Sequence, residues 1–355
     1  MSDDSDAEPQ RSVPTRRRSS GGAPTIYDIA ELTGVNPSTV SRALGKPGRV
    51  SAKTEAKIRA AAAQLNFRVN PMARALPTGR THTLALIVAD ITNPLFFRLV
   101  RGAELAATGA GYALVIAESQ ESGDAEADVI EQIMPSVDGI VLATTRLSPE
   151  RIAEIASRKP LVVVNREVVG VTAVVPGVER GTQALVSHLY EMGHRSIAYL
   201  SGPVTSWMSE RRWTIILEAA EALGIAAVEI GPASPTLSGG REALRRVIAS
   251  RATAVVAFND LMAMGLMQAA AEAAVVVPDE LSVAGFDDIF GSELISPALT
   301  TVRAPLVEMG QRAVVGVLAA VSSEDDAVSE DMPALTTELI VRGSTGHAPG
   351  GPFSS

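Results

Sequence analysis

The sequence predicts a small all-α helix-turn-helix domain followed by an α/β body of two doubly wound parallel-sheet lobes. Three observations lead to this fold class. Positive charge is concentrated near the N terminus, two short helical segments there are separated by a glycine, and short apolar segments then alternate with helical ones in two successive series. Such alternation is typical of parallel sheets covered by helices on both faces.

The composition sets the broad class of the protein. A chain of 355 residues, 46% hydrophobic and 20% charged, is expected to form two or three globular units. No apolar run approaches the roughly 18 residues of a membrane helix, and the acidic start MSDDSDAEPQ is unlike a secretory signal. We therefore expect a cytoplasmic protein with no membrane partner. The chain has no cysteine and lacks HExxH, GxSxG and P-loop motifs, so we expect no enzyme, no cofactor and no metal site.

The charge distribution indicates a nucleic-acid partner. From Arg16 to Arg80 there are 12 Lys or Arg against 3 Asp or Glu, a net charge of +9, whereas the whole chain carries −9. The rest of the chain therefore carries −18. This asymmetry suggests a basic DNA-binding arm on an acidic body. Residues 1–23, rich in Pro, Ser and Gly, are expected to form a disordered tail.

Residues 24–69 are predicted to form the helix-turn-helix domain. In TIYDIAELTGVNPSTVSRAL, apolar residues from Ile26 onward have helical spacing, and Gly34 ends the first helix. Asn36 can cap the second helix, and Pro37 suits its first position. A third helix is predicted after Ser51, which is a candidate cap. Two short helices joined by a tight turn and followed by a third are typical of this domain.

The second helix lies within VNPSTVSRAL, a stretch without any acidic residue. A recognition helix in the major groove faces a dense field of phosphates, where a carboxylate would be repelled. Small hydroxyls allow close approach, and one arginine can donate two hydrogen bonds to guanine. We therefore predict double-stranded operator DNA as the partner, although a three-helix protein-interaction module would tolerate the same spacing.

The body, residues 81–345, is predicted from two series of strands. The first contains LALIV, YALVIA, GIVLAT and LVVVN, and the second contains SIAYLSG, VEIG, AVVAFND and LSVAGFDD. Ligands of open parallel sheets bind beyond the carboxyl ends of the strands. The strand ends are polar, and we expect a ligand cleft where they meet, at Asp90, Asn165, Gly202, Asn259 and Asp287. After the body, residues 346–355 are expected to form a flexible tail.

Several cleft candidates allow a second interpretation. Asp90 and Asn93 suit hydrogen bonds to ligand hydroxyls, but they also suit a cap before Pro94. Trp207 suits stacking on a sugar or a half-buried position at the rim. Asp287 is the strongest candidate, because its carboxylate can accept hydrogen bonds from two hydroxyls.

The run from Thr25 to Arg80 resembles the head of the lactose-repressor family of bacterial transcription regulators. The resemblance continues through LALIVADITNPLFF, HLYEMGHRSIAYLSGP, VVAFNDLMAMG, VPDELSVAGFDD and SPALTTVRAP, to about Thr345. It implies a sequence-specific DNA-binding regulator, acting as a repressor, whose body is similar to periplasmic binding proteins. It also implies a homodimer, and a small polar effector such as a sugar that controls operator affinity.

The resemblance further implies the roles of particular residues. One of Phe96 and Phe97 should face the effector, and we predict Phe96. Arg212 matches the arginine that this family directs into the cleft, and Arg211 is expected at the surface. The predicted effector contacts are Asp90, Asn93, Phe96, Arg166, Trp207, Arg212, Asn259, Asp260 and Asp287.

Residues 70–80 are expected to form a hinge between head and body. The resemblance implies that Leu76 acts there as a wedge in the minor groove, and packing of Leu76 on the body is the alternative. The predicted DNA contacts of head and hinge are Tyr27, Asn36, Pro37, Ser38, Thr39, Ser41, Arg42, Arg49, Asn70, Arg74 and Leu76.

The chain departs from the family pattern at several positions. Ile215 stands where the pattern has glycine, Pro176 stands where an acidic residue often begins a crossover helix, and Pro77 should end the hinge helix. Ala273 and Ala274 replace the usual glycine turn before VPDE. Two other functions fit the sequence less well. A solute-binding protein is disfavoured by the absent signal peptide and the +9 head, and an enzyme by the missing motifs.

Overall fold

The computed structural model of the chain describes residues 24–45, 49–67, 80–322 and 334–350. The chain divides into two compact units, Met1–Gly79 and Arg80–Ser355. The predicted N-terminal tail and nearly all of the predicted hinge, including Asn70, Arg74, Leu76 and Pro77, lie outside the described residues.

The first unit contains the three predicted helices: α1 (Ile26–Thr33), α2 (Pro37–Gly45) and α3 (Ala52–Gln64). Gly34 ends α1 in the left-handed region at φ 63°, which glycine adopts without strain. The side chain of Ser51 accepts a hydrogen bond from the backbone N–H of Thr54 and caps α3, as predicted. One buried residue from each helix, Ile29, Val40 and Ile58, forms the centre of the core. The three helices therefore fix the outer surface of α2.

The second unit begins with lobe 1, whose sheet is entirely parallel with strand order β2-β1-β3-β4-β5. Its strands are β1 (Thr83–Val88), β2 (Ala113–Glu118), β3 (Gly139–Ala143), β4 (Leu161–Val164) and β5 (Thr172–Val174). Its helices are α4 (Leu95–Gly109), α5 (Gly123–Ile133), α6 (Pro149–Arg158) and, from later in the chain, α11 (Leu306–Ser322), with a short 3-10 turn at Met134–Ser136.

Lobe 2 has a six-stranded sheet with order β11-β10-β9-β8-β6-β7. Its strands are β6 (Ser196–Leu200), β7 (Ala226–Ile230), β8 (Ala254–Ala257), β9 (Ser282–Phe286), β10 (Thr300–Arg303) and β11 (Glu338–Ile340). Its helices are α7 (Val178–Glu191), α8 (Trp207–Leu223), α9 (Leu237–Ser250) and α10 (Asp260–Glu272). The two doubly wound lobes confirm the predicted fold class. The edge strand β11 pairs antiparallel with β10 and was not predicted.

Each lobe has its own hydrophobic core. Buried side chains cover both faces of the lobe 1 sheet, and a separate cluster fills lobe 2. The chain passes from lobe 1 to lobe 2 after β5 and returns after β10 to form α11. Because the cores are separate, the space between the lobes is available for a ligand. None of the helices in the described residues has the length and apolar character that crossing a membrane requires.

The C-terminal end of the described residues is hydrogen-bonded to lobe 2. The predicted flexible tail begins at residue 346, yet the backbone N–H groups of Gly346 and Ala348 donate to Ser282 Oγ (3.0 Å) and to the carbonyl of Met192 (2.8 Å). Residues 346–348 are therefore bound to lobe 2 through backbone hydrogen bonds, which leave no hydrophobic pattern in the sequence.

Two of the departures from the family pattern lie in lobe 2. Ile215 is buried there, and Ala274 takes the glycine-favouring φ of 59°.

Candidate functional site

The outer surface of α2 presents hydroxyl groups and one guanidinium. Ser38, Ser41 and Arg42 are exposed, and Thr39 is half-buried. Arg42 Nε donates to the carbonyl of Ser38 (3.2 Å), which holds the guanidinium along the helix. The helix carries no acidic residue. These side chains can therefore approach a phosphate backbone without a repelling carboxylate.

The other predicted DNA contacts of the head lie around α2. Asn36 Oδ1 accepts hydrogen bonds from the backbone N–H (3.0 Å) and the hydroxyl (2.9 Å) of Ser38, so it caps the helix. Tyr27 on α1 is 74% exposed. Pro37 is half-buried, and Arg49 is exposed. The structure thus leaves the side chains of Tyr27 and Arg49 free to meet another molecule.

The body has a cleft between its lobes at the carboxyl ends of the strands. Residues of both lobes line it, and about 530 Å³ of space between them, solvent at the open mouth included, is not filled by protein atoms. Seven of the nine predicted effector residues line it: Asn93, Phe96, Arg166, Trp207, Arg212, Asn259 and Asp287.

Three strand ends enter this cleft with an unusual backbone. Thr144 after β3, Asn165 after β4 and Asp287 after β9 have φ values of 60°, 63° and 108°. Side chains other than glycine rarely adopt this region, and such strain is concentrated at functional sites. The three residues all line the cleft.

A buried ion pair forms the lobe 2 wall of the cleft. Arg212 Nη2 donates to Asp287 Oδ1 at 3.2 Å, and Arg212 Nη1 donates to the carbonyl of Phe258. The guanidinium carbon lies 4.2 Å from the ring centre of Phe286, a cation–π contact. Burial raises the pKa of Asp287 to about 6, although the charge of Arg212 lowers it. The carboxylate is therefore costly to keep ionised, and a further hydrogen-bond donor would stabilise it.

Two amide side chains at the cleft also hold helix starts. Asn259 Oδ1 accepts from the backbone N–H of Met262 (2.9 Å), and its Nδ2 donates to the carbonyl of Pro235 (2.9 Å). Asn93 Oδ1 accepts from the backbone N–H of Leu95 (3.0 Å). The cap interpretation therefore applies to Asn93. Each amide oxygen keeps a second lone pair, so capping does not exclude a ligand contact.

The structure does not bring Asp90 and Asp260 to the cleft wall. Asp90 Oδ1 accepts from the backbone N–H (2.8 Å) and the hydroxyl (2.6 Å) of Thr92, so it stabilises the loop after β1. Asp260 is fully buried, and its carboxylate accepts from Ser292 Oγ (2.6 Å), Thr301 Oγ1 (2.6 Å) and the backbone N–H of Ile289 (3.0 Å). Because protein donors already occupy it, Asp260 ties α10 to the segment between β9 and β10.

The most important cleft feature that sequence reasoning missed is a second ion pair, on lobe 1. Arg146 donates to Glu121 Oε2 from Nε (2.7 Å) and Nη2 (2.6 Å). Behind it, Glu126 is buried and accepts from the backbone N–H of Arg146 (2.9 Å). The only sequence signal was that Thr144, Thr145 and Arg146 follow a strand end. Of the expected strand ends, Asn165 lines the cleft and Gly202 does not. The cleft residues that were not predicted are Leu95, Glu121, Thr144, Thr145, Arg146, Ser206, Met208, Pro235 and Phe258.

Comparison with known proteins agrees with this architecture. The family model described as bacterial regulatory proteins, lacI family, matches residues 25–70. The model of a periplasmic binding protein-like domain matches residues 186–345. The helical head and the C-terminal part of the body, residues 186–345, thus have counterparts among known families.

Two curated relatives match nearly the whole chain. The HTH-type transcriptional regulator DegA of Bacillus subtilis is 32% identical over 331 residues, which cover 90% of this chain and 98% of that protein. The HTH-type transcriptional repressor CytR of Escherichia coli is 30% identical over 335 residues, which cover 92% of this chain and 98% of that protein.

Solved structures show the same fold. The lac repressor dimer bound to operator and the anti-inducer ONPF superposes with a TM-score of 0.80 at 24% identity, over 92% of this chain and 100% of that one. A lacI family regulator of Enterococcus faecium with bound ribose gives a TM-score of 0.65 at 27% identity, over 74% of this chain and 98% of that one.

Proposed function

Because the chain belongs to the lacI family of bacterial regulatory proteins, we propose that it is a transcriptional repressor whose operator affinity is controlled by a small polar effector. The observation that carries this proposal is the outer surface of α2, which exposes hydroxyl groups and Arg42 and contains no carboxylate. CytR, a relative over almost its entire length, is named a transcriptional repressor. Because operator DNA is the proposed partner, we also propose a cytoplasmic location.

The recognition helix would read the operator from the major groove. In this pose Arg42 donates two hydrogen bonds to one guanine, while Ser38 and Ser41 approach the neighbouring bases and phosphates. Tyr27 and Arg49 would contact the DNA backbone, which fixes the register of the head. A homodimer, as in the lac repressor complex, would read two half-sites related by symmetry.

The effector would bind in the cleft and contact both lobes. Hydroxyl groups suit the Asp287 carboxylate and the amides of Asn93 and Asn259, and the half-buried ring of Trp207 offers a stacking surface. A sugar combines these features, and the Enterococcus faecium regulator holds ribose. A ligand that contacts two lobes with separate cores binds more tightly to one arrangement of the lobes than to others. This difference in ligand affinity between the arrangements is what changes operator binding.

The experiment that tests this proposal begins with operator selection. The full-length protein is used to select binding sites from a random DNA pool, and affinity for the selected site and for random DNA is then measured by fluorescence anisotropy. Arg42→Ala should weaken binding to the selected site by about 1–3 kcal/mol and relax the preference at one base. Arg59→Ala removes the same charge from the exposed surface of α3, where Arg59 pairs with Glu55 at 2.7 Å, and should change both affinities alike.

Two results would contradict the proposal. If no sequence is enriched from the pool, the chain does not read an operator. If Arg42→Ala lowers affinity for the selected site and for random DNA equally, Arg42 contacts phosphate and does not read a base. Effector control is tested on the same operator by adding neutral and acidic sugars, and a sugar that changes the affinity of the parent should leave Asp287→Ala unaffected.

A further inference from the structure

The charged side chains on the cleft wall do not balance. Five of them line the cleft: Glu121, Arg146, Arg166, Arg212 and Asp287. Each carboxylate is already paired with an arginine, since Glu121 binds Arg146 and Asp287 binds Arg212. Arg166 forms no ion pair with any residue that the structure describes. The wall therefore carries one cation more than it carries anions.

Arg166 has few partners of its own. Its Nη1 donates to the carbonyl of Leu147 at 2.6 Å, and its buried Nε has no hydrogen-bond partner in the described part of the chain. Burial lowers the pKa of this guanidinium, and the like charge of Arg146 lowers it further. An arginine nevertheless stays charged in proteins. Arg166 therefore holds its charge where both the loss of water and a neighbouring cation make that charge unfavourable.

Glu126 is the carboxyl group that could most offset this charge, together with Glu150. Glu126 lies behind the wall, buried, and accepts from the backbone N–H of Arg146. Burial raises the pKa of Glu126. Its carboxylate binds the backbone of Arg146 and forms no ion pair with Arg166, so Arg166 has no directly paired counter-ion among the described residues.

A helix start on lobe 1 adds to the positive character of the cleft. The first residues of α4, Leu95 and Phe96, and of α8, Trp207 and Met208, line the cleft. A helix start carries a positive partial charge and backbone N–H groups without helical partners. The first turn of α4 contains no acidic residue that would cancel this effect. The first turn of α8 contains Glu210, which offsets its effect, so an anionic group in the cleft would meet favourable potential from Arg166 and from the start of α4.

We propose that the effector is an anionic sugar, whose carboxylate or phosphate group binds Arg166 on lobe 1 while its hydroxyls bind the Asp287–Arg212 pair on lobe 2. This inference rests on the proposed effector site and names the chemical class of its ligand. The anion supplies the counter-ion that Arg166 lacks, and the guanidinium fork matches the two oxygens of either group. A neutral sugar leaves Arg166 unpaired and should bind more weakly.

The test compares matched sugars on the full-length protein at constant ionic strength. Thermal unfolding is measured with D-glucose, D-glucuronate and D-glucose 6-phosphate, with D-ribose and D-ribose 5-phosphate, and with inorganic phosphate alone. Ligand binding to the folded state raises the melting temperature. An acidic member should raise it more than its neutral counterpart and more than inorganic phosphate. The glucuronate and phosphate arms distinguish a carboxylate ligand from a phosphate ligand.

Three variants assign the effect to Arg166. Arg166→Gln can still donate to Leu147 and should lower affinity for the acidic ligand by roughly 10- to 100-fold, because it removes a charge-assisted hydrogen bond. Arg166→Lys keeps the charge and should recover part of that loss. Arg158→Gln removes an exposed arginine of lobe 1 that pairs with Glu131 at 2.6 Å, and should leave ligand affinity unchanged. Circular dichroism of each variant confirms that it is folded.

The inference is overturned if no acidic member stabilises the protein, if neutral members do so equally, or if Arg166→Gln binds the acid as the parent does. Stabilisation by inorganic phosphate as strong as that by the sugar acids would mean an adventitious ion only, which also refutes it. Operator affinity in the same samples separates this inference from the proposed function. A neutral sugar that changes operator affinity refutes only the anionic class, whereas an acid that binds without changing operator affinity refutes only the regulatory role.

Discussion

The buried pair of Arg212 and Asp287 allows a quantitative test of how the cleft is held together. We consider Arg212→Met, Asp287→Asn and the double variant. Arg212 is 8% exposed and Asp287 is 4% exposed, so neither charge is well hydrated. Methionine keeps much of the volume of arginine and its contact with Phe286, while the charge is removed.

The expected magnitude follows from the geometry. At the observed 3.2 Å separation, two unit charges attract by about 5 kcal/mol for an effective dielectric constant of about 20. Removing one partner of a buried pair typically costs about 3–5 kcal/mol, because the other charge stays buried and uncompensated. Arg212→Met should therefore lower the free energy of unfolding by about 3 kcal/mol. Asp287→Asn should cost less, because it removes a carboxylate whose burial is already unfavourable, as its pKa of about 6 indicates.

The double variant separates the pair from its parts. With both charges absent, neither side chain is left as a buried ion, and the loss should be smaller than the sum of the single losses. The matched control is Arg211→Met, the adjacent position on α8. Arg211 pairs with Glu179, but both side chains are 44% exposed, and exposed pairs contribute at most about 1 kcal/mol.

Urea unfolding is the assay, followed by circular dichroism and by tryptophan fluorescence. The chain has two tryptophans, Trp207 and Trp213, and both lie on α8, so fluorescence reports on lobe 2, where the pair is located. If Arg212→Met is no more destabilising than Arg211→Met, the pair does not stabilise lobe 2. Additive losses in the double variant would mean that the two side chains act independently.

The remaining predictions concern pH and helix packing. Burial raises the pKa of Asp260 to about 7 and of Asp287 to about 6. An unfolded chain has Asp near about 4, so between about pH 4 and 7 the folded state holds more protons, and its stability falls as pH rises. Urea melts across this window should show Asp260→Asn gaining stability relative to the parent as pH rises, and a constant difference would contradict the assignment. On α4, a Cβ at Gly102 would lie 1.9 Å from the carbonyl oxygen of Val307 on α11, whereas one at Gly109 would meet nothing within 4 Å. Gly102→Ala should therefore lower the free energy of unfolding by about 1–3 kcal/mol, and Gly109→Ala should leave it unchanged or raise it by up to about 1 kcal/mol; equal effects would refute the close packing of α4 on α11.

The fold was predictable because its signals are local. The first head helix is bounded by Gly34, and Asn36 with Pro37 begins the second, within a few residues along the chain. The strands of both lobes are short apolar runs, which are likewise recognisable from a few consecutive residues. The antiparallel pairing of Glu338–Ile340 was not predictable, because that strand is three residues long and gains its register from contact with Thr301 and Val302.

The location of the cleft was predictable for a related reason. Parallel strands place their carboxyl ends at one edge of a sheet, so any polar residue after a strand is a candidate. Asn259 and Asp287 were found in this way, and both line the cleft. The same rule selected Asp90 and failed to exclude Asp260, the next residue after Asn259. A strand end fixes where a backbone leaves the sheet, but the hydrogen bonds of Asp260 to Ser292 and Thr301 fix where its side chain lies.

The electrostatic character of the cleft depends on pairing, and pairing is not a local property. Glu121 and Arg146 are separated by 25 positions in the chain, and Arg212 and Asp287 by 75. The cleft wall contains three cationic and two anionic side chains, and no sequence pattern indicates which cation remains unpaired. Only the three-dimensional contacts assign Glu121 to Arg146 and Asp287 to Arg212, and leave Arg166. The proposed charge of the ligand therefore depends on Arg166, whose lack of an ion-pair partner among the described residues is visible only in three dimensions.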